Sequence, residues 1–284
     1  MLWQNLREEE FYDAIEKCGK VCVIPVGCIE MHGQHLPVGT DTMTCQYIAE
    51  KAAEIEPVMV APAIWYADVQ GLNQWKGTIS FSIPLILDML TELCAEVARN
   101  GFKKIILLNG HGGNVPVLNT FVRSTCKDKK DYVVCCRNDF CYTHKDIVHD
   151  LNKGEVFPEL TAEDIAYLRD FVDRGGQTGH GCLNETAIIM RTNPETVRLD
   201  RCDAVEGESN HKADYLYDVG FKGCTRFWAI NQPNSYHGTA PYGANARIGE
   251  VILKKRIAAQ VEACRALKKD DQVLVWNEEW NRSW

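Results

Sequence analysis

The stretch Val21–Asp41 reads VCVIPVGCIEMHGQHLPVGTD. Its first six residues are apolar, rich in β-branched side chains and uncharged, the composition of a strand covered on both faces in a parallel sheet. The strand runs into a loop punctuated by Gly and Pro that delivers Glu30, His32, His35 and Asp41, and this loop reads as half a metal site. Ligands in open α/β sheets bind beyond the carboxyl ends of the strands, where loops from several strands converge on one crevice.

Two further segments repeat this construction. Lys103–Leu108 (KKIILL) is an apolar strand that opens into Asn109-Gly110-His111-Gly112-Gly113-Asn114. Gly179-His180-Gly181 is another glycine-flanked histidine, with Glu185 five residues beyond His180. Glycines beside a functional histidine let the backbone turn tightly and approach a ligand closely. Each histidine taken alone reads more often as hydrogen-bonded structure than as a ligand, and each carboxylate equally as a loop or cap residue. Taken together they form a carboxylate and imidazole set suited to Zn, Mn or Fe(II). A carboxylate can bridge two ions, so Asp41 is placed to join a pair roughly 3.5–4 Å apart.

These motifs resemble the creatininase family, the creatinine amidohydrolases. The resemblance rests on Pro25-Val26-Gly27, Ile29-Glu30-Met31-His32-Gly33, His35-Leu36-Pro37, Gly39-Thr40-Asp41, the Asn109–Asn114 loop, and His180 with Glu185-Thr186. It implies an α/β fold and two divalent metal ions (Zn, Mn or Fe) per subunit, held by Glu30, His32, Asp41, His111 and Glu185, with Asp41 bridging. It also implies that His180 is the catalytic proton donor or acceptor, and that the chain self-associates, a homo-oligomer up to a hexamer. The reaction it implies is hydrolysis of a C–N amide bond in a small polar or cyclic amide by a metal-bridging hydroxide. Creatininase proper carries a catalytic glutamate where this chain has Gly113, and an aromatic lid of tryptophans before the His180 position. Here no Trp lies between Trp75 and Trp228. A lid would have to come from elsewhere, such as Trp228 or Tyr236, and creatinine is not the expected substrate. Two other readings are a silent metal-binding protein and a metal-dependent lyase. The lyase reading lacks the Lys or phosphate-gripping loop that enolate chemistry normally pairs with a metal.

The rest of the chain agrees with one α/β/α layered domain over 1–284 built on a mostly parallel central sheet. Helical patterns at 42–54, 84–100, 115–126, 161–173 and 247–267 alternate with a strand-like run at 58–65 and a buried strand at 132–137. Asp41 then sits at a helix N-terminus, where the dipole favours an ionised carboxylate. Thr161 with Asp164 three residues on reads as a capping pair. The irregular 143–180 region reads as a cover for the site, a subunit contact or a surface insertion. The 228–243 loop, rich in Gly, Pro, Asn and aromatics, is a candidate pocket wall.

A 45% hydrophobic content suits a substantial core, and a formal charge of −8 argues against nucleic acid as a partner. The N-terminus lacks the apolar segment of a signal peptide, and no run is long enough to span a membrane, so a cytoplasmic location is expected. Thirteen cysteines without a C-x-x-C pair read as small buried hydrophobes, not a disulfide framework or zinc ribbon. Cys28 and Cys182 stand apart because each lies inside a metal loop.

Overall fold

The computed structural model describes residues 1–283. Strands β1 (Val21–Val26), β2 (Met59–Val60), β3 (Lys104–Asn109) and β4 (Val133–Asn138) form one parallel sheet in the order β2-β1-β3-β4. Since β1 leads outward to β2 on one side while β3 and β4 lie on the other, the order reverses between β1 and β3. The crevice beyond their carboxyl ends is therefore the topological switch point of the sheet.

The helices are α1 (Glu10–Lys17), α2 (Thr40–Ile55), α3 (Ile83–Arg99), α4 (Asn114–Ser124), α5 (His144–Asn152), α6 (Ala162–Asp173), α7 (Leu183–Thr192), α8 (Asp214–Asp218), α9 (Phe227–Asn231), α10 (Ala246–Lys268) and α11 (Gln272–Arg282). Side chains alternate across a strand, and the alternation sorts the core into two halves. Val21, Val23, Ile106 and Leu108 pack with residues of α2, α5, α6, α7 and α10. Cys22, Ile24, Val26, Ile105 and Leu107 pack with residues of α1, α3 and α4. The result is the expected α/β/α layering.

Several expectations require correction. The strand expected at 58–65 shortens to Met59–Val60, with Ile64 touching Val26 only as an isolated bridge, because Pro62 interrupts the run. The strand at 132–137 is an edge strand and only half-buried. Within 143–180 the two helices are part of the packed core and not a surface insertion, while Thr143, Thr178, Gly179 and His180 at its two ends line the cavity over the site. Ile147, Val148, Phe157, Leu168 and Phe171 belong to the core, and α5 and α6 each begin with a capping box. Helix α11 extends past the last expected helix and is tied back by Lys104, whose Nζ donates to Asp271 (2.9 Å) and to the Asp270 carbonyl (3.1 Å). All thirteen cysteines are free thiols, but Cys126, Cys141 and Cys224 are exposed. No described helix is long and apolar enough to cross a membrane.

Candidate metal centre

The loop after β1 and the first turn of α2 present Glu30, His32 and Asp41, all buried. The loop after β3 brings His111 against them, the turn before α7 contributes His180, and the first turn of α7 contributes Glu185. Two asparagines of the β3 loop act as fasteners. Asn109 Oδ1 accepts from the His111 N–H (3.1 Å), and Asn114 Nδ2 donates to the Gly27 carbonyl (3.1 Å), joining the β3 and β1 loops. Gly110 is where these loops meet α2, since a Cβ there would stand 2.6 Å from the Asp41 carbonyl oxygen.

Asp41 is shared. Its Oδ1 lies 3.0 Å from His32 Nε2, and its Oδ2 lies 2.9 Å from His111 Nδ1. Glu30 Oε1 is 3.0 Å from His111 Nδ1 and 3.5 Å from His180 Nδ1, yet it has no hydrogen-bond partner of acceptable geometry. Potential ligand atoms gather within 4.8 Å of one another in a group of Glu30, Asp41, His111 and Cys28, in a second group of His32, Asp41 and Glu185, and in a third of Glu30, His32 and His180. Asp41 belongs to the first two.

The outer nitrogen of each histidine ring faces a backbone carbonyl. His32 Nδ1 bonds the Glu30 oxygen (3.0 Å), His111 Nε2 the Asp68 oxygen (3.1 Å) and His180 Nε2 the Met31 oxygen (2.6 Å). A carbonyl only accepts, so these nitrogens carry the protons and the inner nitrogens point lone pairs at the carboxylates when the rings are neutral. This orientation is the one metal-binding histidines adopt.

Electrostatics state the same demand. Burial works against ionising Asp41 and Glu30, but the neighbouring imidazoles more than reverse it and hold both carboxyls below their usual range. Burial dominates at Glu185 and pushes it up to about 7. His32 is lifted against its burial to about 10 by Asp41 and the other carboxylates. Glu30 and Asp41 pair with His32, His111 and His180, so these buried carboxylates draw on the positive charge of imidazoles. Buried carboxylates on oriented imidazoles fit divalent cations.

His35 is not part of this cluster. Its Nε2 faces the Gly181 carbonyl (2.9 Å) and Thr186 Oγ1 (3.1 Å), and its ring lies against Tyr236. It ties the β1 loop to α7, which accounts for both His35 and Thr186 in the motif. Cys28 donates to Asp41 Oδ2 (3.1 Å), so its thiol supports the shared carboxylate. At Gly113 a Cβ would run into His111 Nε2, so a longer side chain there requires the imidazole to move.

A cavity of about 670 Å³ opens over the cluster. Among its lining residues, Trp228 and His237 come from the 228–243 segment. The Trp228 ring meets His180 edge to face at 5.2 Å, and His180 and His237 pair through their backbones. Tyr236 packs beneath, not at the cavity wall. Thr44, Asp68, Asp139 and Arg256 also line the cavity and were missed from sequence. The available signal for Asp139 was its place directly after β4, the same strand-end rule that found His111.

Fold and site together define a layered α/β protein with a carboxylate and imidazole centre at the switch point of its sheet. The chain belongs to the creatininase family, described as creatinine amidohydrolase, which matches residues 4–264. Similar proteins include a creatinine amidohydrolase of Pseudomonas putida, 24% identical over 186 residues, 64% of this chain and 67% of that one. A mycofactocin precursor peptide peptidase of Mycolicibacterium smegmatis is 27% identical across 59% of this chain and 72% of its own length. A 3-dehydro-scyllo-inosose hydrolase of Thermotoga maritima is 32% identical across 39% of this chain, but only 35% of that protein is spanned. A manganese form of creatininase superposes with a TM-score of 0.71 at 19% identity, covering 95% of this chain and 99% of that one. A zinc–zinc form of a creatininase mutant gives 0.67 at 21% identity, covering 95% and 98%. These structural matches establish the fold. The curated relatives share hydrolysis and differ in substrate.

Proposed function

We propose that this protein is a metal-dependent amidohydrolase that cleaves the C–N amide bond of a small polar or cyclic amide. The observation that carries the reading is Asp41, whose two carboxylate oxygens face two separate donor groups. Glu30, Asp41 and His111 would hold one divalent ion, and His32, Asp41 and Glu185 the other. When bound, a pair of ions supplies activation of water near neutral pH and polarisation of the amide carbonyl.

The chain's own residues supply the proton handling. His180 packs against the cluster with most of its ring out of solvent, and that desolvation, reinforced by His32, lowers its pKa to about 4. It is therefore neutral, and its Nε2–H is committed to the Met31 carbonyl. Nδ1 is left to take a proton from the attacking water and return it to the leaving nitrogen. Ser235 Oγ donates to the same Met31 carbonyl (2.7 Å), which fixes the acceptor that orients His180. Trp228 packs on the ring and limits its exposure to solvent. Gly113 leaves unfilled the glutamate role of creatininase proper, which supports a substrate other than creatinine.

Elemental analysis of metal per subunit tests the reading. About two divalent ions are expected in the wild type and none in Asp41→Ala, because both donor groups share that carboxylate. Full metal content in the variant removes the two-ion arrangement. Absence of metal from the reconstituted wild type removes the metal-dependent reaction altogether.

A further inference from the structure

Three polar groups in the cavity remain unused by the cluster. Asp139 directly follows β4, and its N–H donates to the Asn109 carbonyl (2.9 Å), which carries the strand pairing one residue further. It is only 1% exposed, and its Oδ2 has no hydrogen-bond partner. Arg256 reaches in from α10, also buried, with Nε donating to the Tyr142 carbonyl (2.9 Å). Its Nη1 stops 3.7 Å from Asp139 Oδ1, beyond hydrogen-bonding distance. Thr44, on α2 three residues beyond Asp41, has a buried Oγ1 that likewise lacks a partner. All three line the cavity that holds Glu30, Asp41, His111 and Glu185.

Buried polar atoms are rarely left unpaired, because each forfeits its hydration without compensation. Here a carboxylate oxygen, a guanidinium and a hydroxyl from three different elements line one cavity without completing one another. We propose that Asp139, Arg256 and Thr44 form a specificity subsite for the non-reacting end of the substrate, and that it takes a neutral edge with an N–H beside a C=O, as in a carboxamide or ureide. The proposal rests on the hydrolase reading of the adjacent cluster.

Donor and acceptor matching disfavours the alternatives. A carboxylate would gain Arg256 but leave the unpartnered Asp139 Oδ2 without a donor. An ammonium would gain Asp139 and meet Arg256 at close range. A neutral edge satisfies both, with Asp139 accepting from its N–H, Arg256 donating to its C=O and Thr44 able to do either. Removing an N–H that bonds a buried carboxyl oxygen should weaken binding about 10- to 100-fold.

The test is a ligand-observed NMR titration of the zinc-reconstituted full chain with hydantoin and with 1,3-dimethylhydantoin, which keeps the carbonyls and lacks both N–H groups. The wild type should bind hydantoin at least about tenfold more tightly. The preference should vanish in Asp139→Ala with zinc content unchanged. Asp139→Asn keeps the shape and serves if the alanine variant does not fold; its preference should fall as well. Equal affinities in the wild type, no binding of either compound, or a preference that survives both substitutions would overturn the subsite. Failure to hold zinc would instead defeat the hydrolase reading, and the same titration on metal-free protein would still report the preference.

Discussion

His32 Nε2 lies 3.0 Å from Asp41 Oδ1, while the other nitrogen of the same ring is committed to the Glu30 carbonyl at 3.0 Å. The ring is thus fixed from behind by the backbone of the loop that carries it, and it addresses one oxygen of the shared carboxylate. His111 addresses the other oxygen from a different strand. If each imidazole serves one ion, His32→Ala and His111→Ala should each retain about one divalent ion per subunit, in contrast to the loss of both in Asp41→Ala. Metal analysis of the three variants checks this, and two ions in either histidine variant would count against the division.

His180→Ala should keep its metal while turnover falls by about 10²–10⁴-fold. The residue touches the cluster through Glu30 at 3.5 Å but donates its Nε2–H outward, so its contribution is to proton transfer and not to ion retention. An unchanged rate on any amide the wild type hydrolyses would assign His180 a structural role.

Asp139 couples the proposed subsite to pH. Burial, reinforced by Asp41 and opposed by Arg256, pushes its carboxyl up to about 7. An unfolded-state aspartate titrates near 3.9, so between those values the folded protein binds more protons and stability falls as pH rises. Asp139→Asn removes that ionisation. Its Tm relative to wild type, measured on chelator-treated protein, should therefore be more favourable at pH 8 than at pH 5. A constant difference would mean that Asp139 ionises freely in the fold.

Asp164 has the opposite sign. It accepts from Arg247 Nε (2.6 Å) and Nη2 (2.8 Å), from Asn245 Nδ2 (2.7 Å) and from the Thr161 N–H (2.8 Å), joining the start of α6 to the start of α10. The Arg247 contacts lead in holding its carboxyl well below the usual range. Its contribution is present above the ordinary carboxylate pKa and is lost as pH falls through the depressed folded value. Asp164→Ala should destabilise the fold at pH 7, by about 0.5–2 kcal/mol for the lost cap, with a smaller, solvent-screened part from an ion pair whose Arg247 side chain is half-exposed. Denaturant titrations should show that gap narrowing in strong acid.

The sequence by itself determined the elements that place the site. Apolar runs mark β1 and β3, whose ends carry Glu30, His32, Asp41 and His111, because a strand buried on both faces must be apolar throughout and its loops must hold the chemistry. The Thr161 and Asp164 capping pair was legible for the same local reason. Only tertiary structure decided which histidine joins the cluster, since His35 and His32 share a loop and differ in the partners that folding brings to them. It also decided that 143–173 is core, because packing of Ile147, Leu168 and Phe171 depends on α7 and α10, far along the chain. Asp139, Arg256 and Thr44 carry no shared motif. Their juxtaposition comes from a strand end, a distant helix and the first helix after the metal loop meeting over one crevice, a relationship of distances in space that local spacing does not encode.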